Sequence, residues 1–322
     1  FVLMGILFVL LFIQFLQMPV EMMIADRARQ VLETHPALKI AIAGSFGKTS
    51  MRELLKTVLA EGKNVAAPSG SYNTPLGIAE FVKTLKGDEQ ILIFELGEYY
   101  SGDIKKLCNI VQPDIGVITG VNEAHLEKFG SVENAAKTIF ELADYLGEKP
   151  VYVNADNTLA KKYAQDEHIQ YSRDGGNSWK VSSAETSLEG TTCTLTREEH
   201  TIRVKSKLVG LHHVGAFVAA TDIAIRLGLS ANQIEAGLYK TKPFDHRLEP
   251  KFGADGVVTL DDSYNGNPDG VKAVIEFLSG LPGRKWYVTP GLVEMGVRKA
   301  EVHRVIGAQL AQNGIEKVVL IR

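Results

Sequence analysis

The sequence predicts an α/β fold: a doubly wound, mostly parallel sheet with a phosphate-binding loop (P-loop), a small antiparallel patch, a second Rossmann-like α/β domain, and an N-terminal transmembrane helix. Short apolar runs at residues 38–43, 91–95 and 115–119 alternate with helical patterns, as strands of a buried parallel sheet do. Residues 165–207 contain segments that alternate polar and apolar positions, which is typical of antiparallel strands. Residues 1–20 contain no charged side chain.

The uncharged segment 1–20 predicts a membrane-spanning helix, because at about 1.5 Å per residue it is as long as a bilayer core is thick. A signal peptide and a buried core helix are the alternatives, but the basic start and the small-residue cleavage site of a signal peptide are missing. Residues 21–37 then predict an amphipathic connector. Because Arg27 and Arg29 follow the span, we expect a membrane protein whose catalytic part is cytoplasmic.

Changes in pattern divide the rest of the chain into two predicted domains. A central, ATP-binding domain over residues 38–241 would hold the parallel sheet and the antiparallel patch. The segment 242–250 contains two prolines and predicts a linker. Strand and helix patterns then alternate again, so residues 242–322 predict a C-terminal α/β domain that stops abruptly.

The composition excludes several classes of function. The chain has 35 Lys and Arg residues against 38 Asp and Glu residues, so no basic excess points to a nucleic-acid partner. Cys108 and Cys193 lie far apart in the sequence and outside any metal-binding motif. This spacing favours neither a zinc site nor a disulfide framework.

The most specific local signal is Gly44-Ser45-Phe46-Gly47-Lys48-Thr49, between a predicted strand and a predicted helix. Glycines let backbone N–H groups turn toward phosphate oxygens, and the start of the helix adds a positive dipole end. Lys48 would reach the β- and γ-phosphates, and the Thr49 hydroxyl would bind Mg²⁺. The first glycine of the general motif is replaced by Ile42, so a chance match in a turn is the alternative. The strand–loop–helix context favours nucleotide binding.

This loop and six further segments resemble the Mur ligase family in their order and spacing. The further segments are residues 71–77, 93–97, 112–131, 154–156, 246–249 and 261–268. No single segment is specific, but all seven in order are.

The resemblance implies an ATP-dependent ligase that forms an amide bond through an acyl phosphate, with ATP and Mg²⁺ as cofactors. In the branch that the chain most resembles, the acid is a peptidoglycan precursor, either a UDP-muramoyl peptide or a lipid-linked form. The amine is an amino acid or a dipeptide. The site would lie between two domains that close on each other.

The resemblance also implies roles for particular residues. Lys48, His125 and Arg247 would be catalytic. Thr49, Glu95 and His125 would hold metal ions. The nucleotide would be bound by Gly44, Ser45, Gly47, Lys48, Thr49, Ser50, Asn73, Arg247, Asp262, Tyr264, Asn265 and Asn267.

Three features depart from the family pattern. An ungapped alignment puts Ile139 where many members carry a carbamylated, metal-binding lysine, whereas a short gap would bring Lys137 there. Both asparagines of a motif that recognises adenine are missing from residues 210–216. We expect no domain that grips a UDP-sugar before the P-loop, and a C-terminal domain without its last elements.

Two other interpretations remain open. The same chemistry could act on another acid, as it does in folylpolyglutamate synthetases. The chain could also be a degenerate nucleotide-binding protein that serves as a membrane scaffold, which Ile139 and Ala216 suggest. A scaffold has no chemical need for all six of the retained site residues, and this argues against it; they are Lys48, Thr49, Glu95, His125, Arg247 and Asp262.

Overall fold

A computed structural model describes residues 19–70, 72–122, 126–264, 266–293 and 295–321 of the chain. Its centre is a six-stranded parallel sheet built from β1 (Leu38–Ala43), β2 (Val65–Ala66), β3 (Ile91–Glu95), β4 (Ile115–Ile118), β5 (Val151–Asn154) and β6 (Ile169–Tyr171). The strand order is β2-β3-β1-β4-β5-β6. The carboxyl ends of the parallel neighbours β3, β1 and β4 therefore meet at one edge of the sheet, where α/β proteins bind their ligands.

Helices cover both faces of this sheet. The first, α1, covers residues 19–34. The others are α2 (Lys48–Leu59), α3 (Pro75–Val82), α4 (Asp103–Val111), α5 (Leu126–Phe129), α6 (Val132–Leu146), α7 (Thr158–Tyr163), α8 (Val214–Arg226) and α9 (Ala231–Lys240). Alternate residues of a strand face opposite sides of a sheet. In β1, Ala41 and Ala43 therefore pack with α1, α3, α4 and α6, whereas Ile40 and Ile42 pack with α2, α8 and α9.

A four-stranded antiparallel sheet flanks the second of these cores. Its strands are β7 (Gly175–Gly176), β8 (Trp179–Ser187), β9 (Gly190–Arg197) and β10 (His200–Ser206), in the order β10-β9-β8-β7. Leu195, Ile202 and Val204 are buried against the helices α8 and α9. The antiparallel patch predicted over residues 165–207 is thus confirmed.

The C-terminal part of the chain has a smaller apolar core of its own. It contains the antiparallel pair β11 (Glu249–Phe252) and β12 (Val258–Asp261), the parallel pair β13 (Trp286–Thr289) and β14 (Lys317–Leu320), and the helices α10 (Pro268–Gly280) and α11 (Lys299–Gln312). Val271, Ile275 and Leu292 are among the buried residues of this core. The predicted boundary between residues 241 and 242 stays a prediction.

The predicted transmembrane helix, and the membrane location inferred from it, are corrected by the structure. Among the described residues, no helix is long and apolar enough to cross a bilayer. Residues 1–18 of the predicted span lie outside the described residues. Over residues 19–34, α1 packs on the central sheet through Ala28 and Leu32, so the predicted connector belongs to the folded core. The fold is mixed α/β, with no membrane-spanning helix in the part that the structure describes.

Candidate active site

The P-loop joins β1 to α2 at the carboxyl edge of the parallel sheet. Gly47 precedes α2 with a φ of 74°, a left-handed conformation that glycine adopts without strain. Gly44 has a φ of 146°, and a Cβ atom there would lie 2.2 Å from Thr119 Oγ1. Glycine at these two positions therefore lets the loop turn tightly against the end of β4, which leaves the amino end of α2 available to an anion.

Lys48 is the first residue of α2, and three oxygens accept hydrogen bonds from its ammonium group. Its Nζ lies 3.0 and 2.9 Å from Glu98 Oε1 and Oε2, and it also donates to the carbonyl of Gly44. Glu98 follows β3 by three residues and is only 3 % exposed. The lysine that the sequence predicted as a phosphate ligand is thus paired with a buried carboxylate.

Glu95 is the last residue of β3 and faces the start of α2. Its Oε2 accepts a hydrogen bond from the Thr49 hydroxyl at 3.3 Å, and its Oε1 lies 2.7 Å from Arg52 Nη1. Burial raises the pKa of Glu95 above its ordinary value, while the positive charges of Arg52 and Lys48 oppose that shift. Thr49 and Glu95 therefore present a hydroxyl and a carboxylate side by side.

These two oxygens fit a magnesium ion. Although Arg52 is close, Glu95 Oε1 is buried and receives no hydrogen bond of good geometry from the described residues. A buried acceptor in this state gains from a cation. Mg²⁺ prefers hard oxygen ligands and is usually held by few protein groups together with phosphate oxygens and water. The donor set at Thr49 and Glu95 matches that preference.

Arg247 reaches the same edge from the C-terminal part of the chain. Its Nη2 donates to Thr49 Oγ1 at 3.5 Å, and its guanidinium lies 4.7 Å from the centre of the Tyr264 ring. Burial lowers the pKa of Arg247, whereas the nearby Glu95 raises it. Because an arginine stays protonated in proteins, the site gains a second fixed positive charge beside Lys48.

A cavity of about 280 Å³ gathers most of the predicted residues. The predicted residues that line it are Ser45, Gly47, Lys48, Thr49, Asn73, Glu95, Arg247, Tyr264 and Asn267. Gly44 packs against Thr119, and Ser50 lies in the first turn of α2. Asp262 is held by the Leu248 N–H at 3.0 Å, and burial raises its pKa. His125 and Asn265 lie outside the described residues.

Four lining residues were not predicted from the sequence: Phe46, Gly97, Glu98 and Tyr99. Gly97 was the hardest of them to predict from the sequence, because its role depends on a close approach of two loops. Its N–H donates to the carbonyl of Asn73 at 2.9 Å, and a Cβ atom would lie 2.7 Å from that oxygen. Glu98 could have been predicted, since a second carboxylate just after the same strand faces the same edge of the sheet as Glu95.

The departures from the family pattern lie outside this cavity. Ile139 is fully buried in the apolar core between α6 and the sheet, with 0 % exposure. Lys137 is exposed on α6, and neither residue lines the cavity. Ala216 lies in the first turn of α8. These positions therefore leave the arrangement of Lys48, Thr49 and Glu95 intact.

Family comparisons match two long segments of the chain. The description "Mur ligase middle domain" matches residues 42–224, and the description "Mur ligase, glutamate ligase domain" matches residues 246–322. The first match alone covers more than half of the chain.

Two curated relatives of the chain share one name. The UDP-N-acetylmuramoyl-tripeptide–D-alanyl-D-alanine ligase of Escherichia coli (strain K12) is 27 % identical over 302 residues, which cover 92 % of this chain and 67 % of the relative. The protein of that name from Mycobacterium tuberculosis (strain H37Rv) is 31 % identical over 294 residues, which cover 88 % and 58 %. The chain thus spans between 58 % and 67 % of the length of these two relatives.

Solved structures resemble the whole described fold. MurF from Acinetobacter baumannii superposes with a TM-score of 0.83 at 25 % identity, over 93 % of this chain and 67 % of that one. The MurF ligase from Thermotoga maritima in complex with ADP gives a TM-score of 0.81 at 25 % identity, over 93 % and 74 %.

Proposed function

Because the chain belongs to the Mur ligase family, we propose that it is an ATP-dependent ligase that joins D-Ala-D-Ala to a peptidoglycan precursor through an amide bond. The proposed precursor is the UDP-N-acetylmuramoyl tripeptide named for the curated relatives. The ADP in the Thermotoga maritima structure supports the same choice of nucleotide.

One observation carries the proposal: two parts of the chain contribute charge to a single cavity. Lys48, Thr49 and Glu95 come from the central sheet, and Arg247 comes from beyond the predicted linker. Arg247 donates to the Thr49 hydroxyl at 3.5 Å, so both parts meet at the proposed phosphate site. Phosphoryl transfer depends on alignment and charge neutralisation, which this arrangement can supply.

In the proposed first step, a carboxylate oxygen of the acid attacks the γ-phosphorus of ATP. The bond from that phosphorus to the bridging oxygen breaks, which releases ADP and leaves an acyl phosphate. Lys48 and Arg247 would hold the negative charge that spreads over the transferring group. The N–H groups at the start of α2 would orient the phosphates.

In the second step, the amine nitrogen of the dipeptide attacks the acyl carbon. The bond between that carbon and the phosphate oxygen breaks, and phosphate leaves with the electron pair. The nitrogen loses one proton, which the departing phosphate accepts. Exclusion of water by closure of the two parts of the chain would protect the acyl phosphate from hydrolysis.

When bound, Mg²⁺ would neutralise phosphate oxygens, with Thr49 and Glu95 as its protein ligands. The role of His125 as a ligand of a second metal ion stays a prediction. The contact of Asn265 with the nucleotide also stays a prediction. The contacts of Gly44, Ser50 and Asp262 with a nucleotide are likewise proposals.

The test is release of ADP by the purified protein with ATP, Mg²⁺, UDP-N-acetylmuramoyl tripeptide and D-Ala-D-Ala. We expect release that needs both the acid and the amine and that is lost in Lys48→Ala. Lys106→Ala, an exposed lysine on α4, is the matched control and should keep full activity. ATP binding without turnover would contradict the proposal. ADP release that does not require the amine would also contradict it.

A further inference from the structure

A chain of hydrogen bonds runs from the P-loop to the C-terminal part through Asn122. The backbone N–H of Asn122 donates to Ser45 Oγ at 3.2 Å. Its side-chain Nδ2 donates to Asn267 Oδ1 at 3.1 Å and to Asp269 Oδ2 at 3.0 Å. Asn122 is only 2 % exposed, so water competes weakly for these bonds. We call these contacts the Asn122 tie.

Both ends of the Asn122 tie belong to ordered elements. Ser45 lies in the P-loop and lines the cavity. Asn267 caps α10, and its Oδ1 also accepts from the Gly270 N–H at 3.0 Å. Asp269 lies in the first turn of the same helix. A single residue therefore fixes the start of α10 relative to the loop that would hold phosphate.

We propose that Asn122 is a positioning residue that couples the seating of the C-terminal part to the shape of the P-loop. When α10 is bound by the side chain of Asn122, the backbone of the same residue holds Ser45, and Arg247 can reach Thr49. Asn122 itself does not line the cavity, so it would act through these neighbours. The inference rests on the proposed ATP-dependent ligation and adds to it a residue that senses closure.

The polarity of the tie makes the proposal testable. Asn122 supplies the hydrogens, whereas Asn267 and Asp269 accept them through oxygens. Asn122→Asp removes the donor and places a second carboxylate against that of Asp269. Asp269→Asn, added to that variant, supplies a donor from the opposite side. A residue that only filled space would not respond to this exchange.

The experiment compares the wild-type protein with N122D, D269N and N122D/D269N. Asn232, exposed on α9, provides the matched control N232D. Three quantities are measured in each protein: turnover as ADP release, affinity for ADP with Mg²⁺ by calorimetry, and protection of residues 268–280 from hydrogen exchange when ADP and Mg²⁺ are added.

We expect N122D to lower kcat by about tenfold or more, the size expected when a buried hydrogen bond to a charged group is lost. Its dissociation constant for ADP should rise only by the factor by which nucleotide protects α10 in the wild type, because the two effects are linked and Lys48 and Thr49 are untouched. Nucleotide-dependent protection of α10 should disappear. N122D/D269N should regain the protection and part of the lost turnover, because the bond to residue 269 returns with reversed polarity while Asn267 Oδ1 still lacks its donor. N232D should match the wild type.

The outcomes separate this inference from the proposed function. Asn122 has no coupling role if the turnover and the α10 protection of N122D/D269N are no higher than those of the worse single variant. This holds even when wild-type turnover supports the ligase. If the wild type shows no turnover but protection is lost in N122D and regained in N122D/D269N, the ligase proposal fails and the coupling stands.

Discussion

At the scale of single residues, the pairing of Lys48 with Glu98 places a carboxylate beside the predicted phosphate ligand. Phosphate oxygens and the Glu98 carboxylate would compete for one ammonium group, because both are anionic partners of Lys48. A buried carboxylate in a site for an anionic ligand opposes binding of that ligand. We therefore expect Glu98 to weaken nucleotide binding from within the cavity.

We expect Glu98→Gln to tighten nucleotide binding. Removing the negative charge should lower the dissociation constant for ATP by about tenfold, which corresponds to about 1.4 kcal/mol. Calorimetry with ATP and Mg²⁺ measures the change. Glu148→Gln, an exposed glutamate after α6, should bind like the wild type. Weaker binding by Glu98→Gln would instead mean that the carboxylate helps to hold the nucleotide or its metal.

Glu95 should give nucleotide binding a dependence on acidic pH. Because burial raises the pKa of Glu95, this carboxylate takes up a proton at a higher pH than an ordinary glutamate does. The protonated form is a poor ligand for Mg²⁺, so affinity for the Mg²⁺ nucleotide should fall as the pH falls through that raised pKa. Above the same pKa the affinity should be constant.

The measurement is a series of nucleotide titrations between neutral and acidic pH, with Mg²⁺ and with a chelator. The affinity should fall toward acidic pH only when Mg²⁺ is present. In Glu95→Gln the affinity should not change with pH over this range. An equal fall with the chelator would assign the titration to a group other than the metal ligand.

At the scale of secondary-structure elements, Asp222 on α8 joins the antiparallel sheet to the central sheet. It accepts from Tyr152 Oη at 2.7 Å on β5 and from Trp179 Nε1 at 3.0 Å on β8. Asn177 donates to it at 3.0 Å, and Arg197 on β9 forms an ion pair with it. Asp222 is 3 % exposed, and its donors Tyr152 and Trp179 are buried with it, so these two depend on Asp222 for a partner.

We expect Asp222→Ala to destabilise the protein strongly. Removing one partner from a buried charge pair costs about 3–5 kcal/mol, since the remaining groups stay buried without compensation. Thermal unfolding followed by circular dichroism measures the loss. Asp144→Ala, an exposed residue on α6, should unfold like the wild type. A Tm change of similar size in both variants would refute this role.

The elements were largely predictable because their signals are local. The strand at 38–43 and the helix at 132–146 agree with β1 and α6 as observed, since an apolar run and a capping serine mark them in the sequence. The predicted membrane span over residues 1–20 rested on length and lack of charge, and no helix among the described residues is long and apolar enough to cross a bilayer. Over residues 19–34, α1 packs on the central sheet, which those two properties cannot predict.

The site was predictable where a motif is contiguous and not where it depends on distant pairs. The P-loop is one short segment, so Lys48 and Thr49 could be assigned from their neighbours alone. Glu98 lies 50 residues from Lys48, and the Asn122–Asp269 bond spans 147 residues. The position of Glu98 after β3 could be predicted locally, but neither pairing could, because both exist only after the strands are ordered in the sheet.

At the scale of the whole molecule, an apolar contact holds the C-terminal part against the central part. Phe277 and Val274 of α10 pack with Leu248 and with Val209, which follows β10. Phe277 is 4 % exposed. This contact supports the seating of α10 independently of the polar Asn122 tie.

We expect Phe277→Ala to loosen the C-terminal part before the central sheet unfolds. Truncation of a buried phenylalanine costs about 3–5 kcal/mol, and here the loss falls on the contact between the two parts. Calorimetry should show an early transition, and proteolysis near residues 241–246 should become faster. Phe252→Ala is the control, because that ring is 70 % exposed. A single unshifted transition in Phe277→Ala would argue against this account.

The residues of the site lie far apart in the sequence, so the ribosome adds them at different times. Ribosomes add about 5–20 residues per second, and domains fold from the N-terminal end as they emerge. Lys48 and Glu98 are therefore both synthesised well before Arg247, which lies 198 residues after Thr49. On a nascent chain the P-loop lysine and its carboxylate partner are thus both present before the cation that joins the two parts.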